Sequence, residues 1–202
     1  MRLYQFLVWL FRGISRLLGV KISGRENIPA EGAVVVIANH RCWVDIILMA
    51  LAAHPRRVHF MAKSEYGNIK LLNWLIYHLG SFTVERGESD IKAIKTALGY
   101  LKQGEVVGIF PEGTRNRTDE PLLPFKEGAF MIAARGKAQV VPMAFFDAKR
   151  YLKFGKPNPQ VLVGEAMDLD GFVNEKGRPD ALAASNEAKH RLEKMLQIKQ
   201  EL

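Results

Sequence analysis

The chain has a single cysteine, Cys42, among its 202 residues. No disulfide can form within it, so a disulfide-stapled secreted domain is excluded. It also lacks an apolar run of the ~20 residues that cross a bilayer, and it contains no internal repeat, low-complexity stretch or interdomain linker. Apolar residues make up 48% and charged residues 25% of the chain, which excludes an intrinsically disordered protein. We therefore expect one domain with a substantial core.

The net charge of +8 is concentrated at one end of the chain. Residues 1–25 contain five basic residues and no acidic one, whereas the other 177 residues hold 24 basic and 21 acidic side chains. The nearly balanced charge of these 177 residues argues against a nucleic-acid partner, because binding such a partner requires a basic patch on the folded domain. The basic end instead favours contact with an anionic membrane surface.

Residues 2–18 have the pattern of an amphipathic helix with a narrow polar wedge and a broad apolar arc. The wedge contains Arg2, Gln5, Trp9, Arg12 and Arg16; the arc contains Leu3, Phe6, Leu7, Leu10, Phe11, Ile14, Leu17 and Leu18, with Tyr4 and Val8 at its margin. Such a helix either packs on the core of its own domain or lies in a membrane interface with its arginines at anionic headgroups.

We favour the interfacial helix. A secretory signal is not expected, because polar residues interrupt the apolar run and no small-residue cleavage site follows it. We assign residues 1–24 to the interfacial helix and residues 25–202 to the remaining domain. The protein is expected to be peripheral or monotopic on the cytoplasmic side of the cell membrane.

After a turn marked by Gly24 and Pro29, β-rich runs alternate with helical patterns. The predicted strands are 33–38, 58–62, 81–84, 106–110, 139–146 and 160–164, and the predicted helices are 46–53, 69–79, 91–103, 127–135 and 180–200. This alternation predicts an α/β fold with one mixed, mostly buried β-sheet flanked by helices.

A histidine and an aspartate, His40 and Asp45, follow the first buried strand at a spacing of five residues. Histidine is suited to take a proton near neutral pH, and a carboxylate on its second ring nitrogen fixes the tautomer. Residues five apart lie about 140° from each other on a helix. The pair therefore meets only if His40 lies in the strand-to-helix turn and Asp45 in the first turns of the helix. Asp45→Asn is then expected to be severe through the wrong tautomer.

Other readings of this stretch remain open. The pair is also compatible with a purely structural role. Cys42 is a conceivable thiol nucleophile, and a metal site would need a clustered set of ligands. The other histidines, His54, His59, His78 and His190, show no ligand spacing with His40.

The run Phe110–Arg117 (FPEGTRNR) also follows an apolar strand. Glycine permits close backbone approach, and the guanidinium groups of Arg115 and Arg117 present forked donors suited to phosphate oxygens. With Lys63 and Arg86, four cations fall at the ends of predicted strands. Solvated surface charge is the alternative explanation for each of them.

Four blocks in this order resemble the glycerolipid acyltransferase family, in particular the bacterial 1-acyl-glycerol-3-phosphate acyltransferases. The blocks are N-H-x4-D at Asn39, His40 and Asp45, G-x5-R from Gly80 to Arg86, F-P-E-G-T-R from Phe110 to Arg115, and V-P at Val141-Pro142. The run 124–128 (PFKEG) and Lys63 are similar to the family as well. The departures are Arg41-Cys42 where Gln-Ser is more usual and Glu85 where aspartate is common.

The resemblance implies transfer of a fatty acyl group from a thioester, on acyl carrier protein or coenzyme A, to the sn-2 hydroxyl of lysophosphatidate, giving phosphatidate in phospholipid biosynthesis. His40 would be the general base, supported by Asp45. The implied substrate-binding residues are Lys63, Arg86, Glu112, Gly113, Thr114, Arg115 and Arg117. An oxyanion donor is implied at Lys63 or at a backbone N–H near Gly113. No metal or organic cofactor is implied, because the thioester already carries the activation.

Two alternatives stand beside this expectation. One is an acyltransferase acting on glycerol-3-phosphate or another lysophospholipid. The other, from a different class, is a non-catalytic peripheral binder of anionic lipids, which explains the charge distribution but not the spacing of His40 and Asp45.

Overall fold

A central β-sheet is built around the most apolar run of the chain. The computed structural model of the protein describes residues 2–63, 74, 78, 81–84, 89–150 and 158–197. Within these residues seven strands form the sheet: β1 (Lys21–Ser23), β2 (Val34–Ala38), β3 (Val58–Lys63), β4 (Ser81–Val84), β5 (Val106–Ile109), β6 (Gln139–Phe146) and β7 (Gln160–Val163). Their order is β1-β7-β6-β2-β5-β3-β4. Neighbouring strands are parallel except β6 and β7, so the sheet is mixed, as expected.

Helices cover both faces of the sheet. They are α1 (Arg2–Leu17), α2 (Val44–Ala53), α3 (Ser89–Lys102), α4 (Gly128–Arg135) and α5 (Ala181–Gln197). The side chains of β2 alternate between two cores, with Val34 and Val36 facing α1 and α2, and Val35 and Ile37 facing α3, α4 and α5. Because both faces of β2 are covered, the strand is a continuous apolar run.

Helix α2 is buried along its entire length. This requires a cover on the side away from the sheet, and α1 provides it through Tyr4, Leu7 and Val8, which are all buried. The Tyr4 hydroxyl also accepts a hydrogen bond from the backbone N–H of Val58 at 3.4 Å, and the guanidinium of Arg57 lies 5.1 Å from the centre of its ring. These three apolar residues, expected on or beside a membrane-facing arc, belong to the domain core instead.

Another part of the apolar arc of α1 is exposed, although Phe11, Ile14 and Leu18 pack partly buried against the same core. The exposed residues are Leu3, Phe6, Leu10 and Leu17, with Phe6 53% and Leu17 87% exposed. The helix therefore has a buried apolar face, an exposed apolar face and a basic face. Among the described helices, none has the length and hydropathy needed to cross a membrane.

Most predicted elements are present, with ends shifted by at most two residues within the described part of the chain. The predicted end of the last helix, residues 198–200, lies outside the described residues. Strand β5 ends at Ile109 rather than at Phe110, and α2 begins at Val44 rather than at Ile46. The short edge strand β1 was not predicted. The predicted helix over 69–79 lies outside the described residues, except for positions 74 and 78.

Strand β2 lies between β5 and β6 and is parallel to both, so the carboxyl ends of the three strands meet at one edge of the sheet. Ligands of α/β sheets bind in such a place, where chain connections leave in opposite directions. The side chain of Asn39 continues the β2–β6 pairing beyond β2, donating to the carbonyl of Phe145 at 3.0 Å and accepting from its N–H at 2.8 Å. The main chain then turns away from the sheet at His40.

Candidate active site

The turn between β2 and α2 brings His40 and Asp45 into contact. Asp45 lies in the first turn of α2 and His40 in the preceding loop, and His40 Nδ1 is 2.8 Å from Asp45 Oδ2. Both side chains are buried, with the histidine 7% and the aspartate 0% exposed. Because Asp45 Oδ2 accepts two backbone N–H groups as well, we assign the ring hydrogen to Nδ1, which leaves Nε2 as the accepting nitrogen.

Asp45 also organises the turn itself. Its Oδ2 atom accepts the backbone N–H groups of Arg41 at 2.6 Å and Cys42 at 2.8 Å. The Cys42 thiol is 3.4 Å from the other oxygen, Oδ1, and donates to it. A single carboxylate thus sets both the backbone of the turn and the orientation of the His40 ring.

Residues from the end of β5 hold the opposite side of His40. The ring of Phe110 stacks on the imidazole, with centroids 4.0 Å apart and planes 14° from parallel. The buried carboxylate of Glu112 accepts the backbone N–H of His40 at 2.7 Å through Oε1 and that of Leu123 at 2.9 Å through Oε2. Burial raises the pKa of Glu112 above its ordinary value, because it outweighs the opposite effect of the hydrogen bonds from these two N–H groups. The Glu112 carboxylate therefore connects the backbone of His40 to the loop at Leu123.

The loop that begins at Gly113 lies against the turn between β2 and α2. Gly113 has φ +69°, a left-handed conformation that favours glycine. Its N–H donates to the carbonyl of Phe110 at 3.0 Å, so this N–H, an expected oxyanion donor, is already used. The N–H of Asn116 donates to the carbonyl of His40 at 2.7 Å, which ties the loop to the turn that carries the histidine.

The cations expected to bind phosphate have different surroundings. Arg115 is half-buried, and Thr114 and Arg117 are exposed on the same loop. Lys63 is described only as the backbone end of β3, and Arg86 lies outside the described residues. The structure therefore brings Arg115 and Arg117 to the loop bound to His40 and leaves the side chains of the other two undescribed.

Lys126 is a further cation beside this loop, and it is not among the substrate-binding residues that the family resemblance implies. A Cβ atom at Gly113 would lie 2.9 Å from its Cε and 3.0 Å from its Nζ, so the lysine chain lies directly over the glycine. Its backbone N–H is anchored on the carbonyl of Pro111 at 2.8 Å. Across the described residues, the side chains of Arg115, Arg117 and Lys126 have neither an ion pair nor a hydrogen bond. The sequence signal for Lys126 is the run 124–128 (PFKEG), which is similar to the acyltransferase family.

The thiol of Cys42 is poorly suited to nucleophilic attack. Burial, with the neighbouring Asp45 charge, raises its pKa to about 12. Because the thiolate is the nucleophilic form, the residue stays unreactive near neutral pH.

A second buried histidine, His59 on β3, has a structural role. Its ring stacks on Tyr100, with centroids 3.6 Å apart, and its Nε2 is 3.8 Å from Glu105 Oε2. Burial, with the positive charge of Arg57, lowers its pKa to about 4, so His59 is neutral at physiological pH. In the described part of the chain, no three His, Cys, Asp or Glu residues are grouped as metal ligands.

Comparison with known proteins adds independent information. The family model described as Acyltransferase matches residues 19–146. The chain is 35% identical over 201 residues to the 1-acyl-sn-glycerol-3-phosphate acyltransferase of Bacillus subtilis, which covers 98% of both chains. It is 31% identical over 161 residues to a 1-acyl-sn-glycerol-3-phosphate acyltransferase of Chlamydomonas reinhardtii, spanning 77% of this chain and about half, 48%, of that protein.

The fold is similar to a crystal structure of the 1-acyl-sn-glycerophosphate acyltransferase of Thermotoga maritima. The TM-score is 0.66 at 24% sequence identity, and the match covers 92% of this chain and 78% of the other. At this identity the likeness concerns the architecture of the sheet and helices.

Proposed function

Since this chain belongs to the acyltransferase family, we propose that it transfers a fatty acyl group from a thioester donor to the sn-2 hydroxyl of 1-acyl-glycerol-3-phosphate, forming phosphatidate. The observation that carries this proposal is the buried His40–Asp45 pair. A loop bound to the His40 backbone lies beside it, and its Arg115 and Arg117 side chains have no ion pair among the described residues. Relatives named for this reaction support the choice of acceptor.

His40 is the general base in this mechanism. Its Nε2 takes the proton of the acceptor hydroxyl while the hydroxyl oxygen attacks the thioester carbonyl. The carbon–sulfur bond then breaks, and the imidazolium returns the proton to the departing thiolate. Asp45 stabilises the imidazolium across the 2.8 Å hydrogen bond. The unreactive Cys42 thiol supports direct transfer without an acyl-enzyme intermediate.

In this proposal the acceptor phosphate is bound by Arg115, Arg117 and Lys126. Lys63 and Arg86, the cations at the ends of two other predicted strands, contribute as well. The arginines supply forked donors and the lysine a point charge. Fixing the phosphate places the hydroxyl beside Nε2, and such positioning contributes several kcal/mol to catalysis.

An oxyanion must be stabilised as the hydroxyl adds to the thioester. The N–H groups of Thr114 and Arg115 have no hydrogen-bond acceptor among the described residues, in contrast to the N–H of Gly113. We assign the oxyanion donor to this pair of N–H groups.

The same proposal places the protein on the cytoplasmic side of the cell membrane, held by α1. Leu3, Phe6, Leu10 and Leu17 form an exposed apolar face that fits the acyl boundary, beside a face whose arginines fit anionic headgroups. The acyl donor, acyl carrier protein or coenzyme A thioester, reaches the site from the aqueous side.

An acceptor panel with the purified full chain tests the reaction. Lysophosphatidate and a neutral lysophospholipid are presented in vesicles, and glycerol-3-phosphate in solution. The donors are acyl carrier protein or coenzyme A thioesters with the radiolabel in the acyl group, and His40→Ala is the control. We expect phosphatidate from the first acceptor, with the label released by an sn-2-specific phospholipase. Vesicle binding without transfer to any acceptor would favour the non-catalytic lipid binder instead.

The membrane part is tested by vesicle flotation of two variants of α1. Leu10→Glu places a charge on the exposed apolar face, and Gln5→Glu adds the same charge to the exposed polar wedge. We expect the first variant to lose most of its binding and the second to keep more of it. Equal losses would show that overall charge, and not the apolar face, controls binding.

A further inference from the structure

The side chain of Arg41 crosses from the catalytic turn to the far end of the basic loop. Its Nη1 donates to the carbonyl of Thr118 at 2.6 Å, and its Nη2 donates to the carbonyls of Glu120 at 2.5 Å and Pro121 at 3.3 Å. These acceptors are 77 to 80 residues away in sequence. One guanidinium thus holds three carbonyl groups of the loop.

Asn116 connects the same loop back to His40. Its side-chain Nδ2 donates to the carbonyl of Glu120 at 2.9 Å, the same carbonyl that accepts from Arg41. Its Oδ1 accepts both the N–H and the hydroxyl of Thr118, and its backbone N–H donates to the carbonyl of His40. Since His40 and Arg41 are consecutive, these hydrogen bonds close a ring through the catalytic turn and the loop.

We propose that Arg41 is a positioning residue that holds residues 118–121 against the catalytic turn and so presents Arg115 and Arg117 to the acceptor phosphate. Arg115 and Arg117 flank Asn116, the loop residue tied to the His40 carbonyl. Without the guanidinium, the hydrogen bonds that hold residues 118–121 to Arg41 are lost, and Arg115 and Arg117 occupy the binding arrangement for only part of the time. The inference rests on the proposed function, because it assumes an acceptor with a phosphate.

The chain offers a matched control in Arg56, at the opposite edge of the sheet. Its guanidinium also donates to three backbone carbonyls, those of Pro29, Gly32 and Gly104, which precede β2 and β5. Arg41→Met and Arg56→Met each remove such a triple contact while keeping an unbranched apolar stem. Only the first variant alters the edge that carries the site.

The experiment has a kinetic and a structural readout. With lysophosphatidate varied at saturating donor, we expect Arg41→Met to raise KM about tenfold if the binding arrangement falls to about one tenth of its population, with kcat little changed. Hydrogen exchange should become faster at the amides of Asn116 and Thr118. Arg56→Met should leave KM and these amides unchanged, and Arg41→Lys, with one ammonium group, should fall between wild type and Arg41→Met.

An unchanged KM in a folded Arg41→Met protein would overturn the inference, and so would an equal rise in Arg56→Met. Unchanged exchange at Asn116 and Thr118 would overturn it too, even if the wild-type protein failed to acylate lysophosphatidate. A wild-type protein that does not acylate lysophosphatidate would reject the proposed function. The exchange result tests the role of Arg41 independently of turnover.

Discussion

Replacing Asp45 by asparagine should lower kcat much less than replacing it by alanine. Oδ2 accepts three N–H donors, two from the backbone and one from His40. The asparagine oxygen must occupy this position, because an NH2 group there would face three donors. His40 Nδ1 therefore keeps its hydrogen and Nε2 stays the base. We therefore expect His40 to keep its tautomer in this variant, in contrast to the expectation from the sequence alone, because two backbone donors fix the amide.

What the asparagine variant loses is charge. A carboxylate and an imidazolium about 4 Å apart attract each other by about 4 kcal/mol at an effective dielectric constant near 20. If half of the imidazolium charge has developed in the transition state, the loss is about 2 kcal/mol, which lowers kcat roughly 30-fold. Alanine leaves the two partly buried backbone N–H groups of Arg41 and Cys42 without this acceptor, at about 1 kcal/mol each in unfolding free energy, the lower end of the range for a buried group. It also releases the base, so we expect its kcat to fall about 10³-fold.

Steady-state kinetics at saturating lysophosphatidate and donor, with thermal denaturation of the same samples, measure both effects. Asp45→Asn should have a melting temperature near that of the wild type, and Asp45→Ala a lower one. An asparagine variant that is folded and as inactive as the alanine variant would refute the argument from the three donors.

Four further changes have defined outcomes. Cys42→Ser should keep most of the activity, and intact-mass spectrometry should find no acylated Cys42 in the wild type, because its thiol, with a pKa of about 12, stays protonated. Arg115→Lys should lower kcat/KM for lysophosphatidate roughly 10- to 150-fold, the value of one charge-assisted hydrogen bond. Gly108→Ala puts a Cβ 2.7 Å from Met49 Sδ and should lower the unfolding free energy by about 1–3 kcal/mol in urea denaturation. Unfolding free energy should also fall as the pH drops from 6.5 towards 4, by up to about 1.4 kcal/mol per unit, because unfolding frees His59 to bind a proton; His59→Phe should reduce this slope.

Each of these predictions has an opposing result. An inactive but folded Cys42→Ser protein would point to covalent catalysis. Unaltered kinetics in Arg115→Lys would remove Arg115 from the phosphate site and shift attention to Lys126. An undiminished stability of Gly108→Ala would mean that α2 has room to move away from β5. An equally steep acid dependence in His59→Phe would assign that loss of stability to other groups.

The strands and the turn that carries His40 were predictable from local pattern. Ala33–Ala38 is a continuous apolar run between a glycine and an asparagine, which indicates a strand buried on both faces. The five-residue spacing of His40 and Asp45 then admits only a turn followed by the start of a helix, and α2 begins at Val44. Strand β1 escaped prediction because three residues at a sheet edge carry little periodicity.

Contacts between distant parts of the chain were not predictable in the same way. The apolar arc of the first helix has enough width for two faces, and only the packing on α2 shows that Tyr4, Leu7 and Val8 form the buried one. Arg41 looks in sequence like an unremarkable substitution near the histidine. Its role depends on carbonyl groups almost 80 residues away, and backbone carbonyls have no signature in a sequence.

The amide of Asn39, paired with both backbone groups of Phe145, stands in for a missing peptide unit. Aspartate lacks the donor for this exchange and glutamine is one methylene too long, so the sheet alone requires asparagine there. A descendant of this protein that had abandoned acyl transfer would still need Asn39 to end its strand and Asp45 to shape its turn. Relatives that have lost the activity should therefore retain Asn39 and Asp45 of the N-H-x4-D block. A substitution of the histidine is the change by which such inactive relatives could be identified.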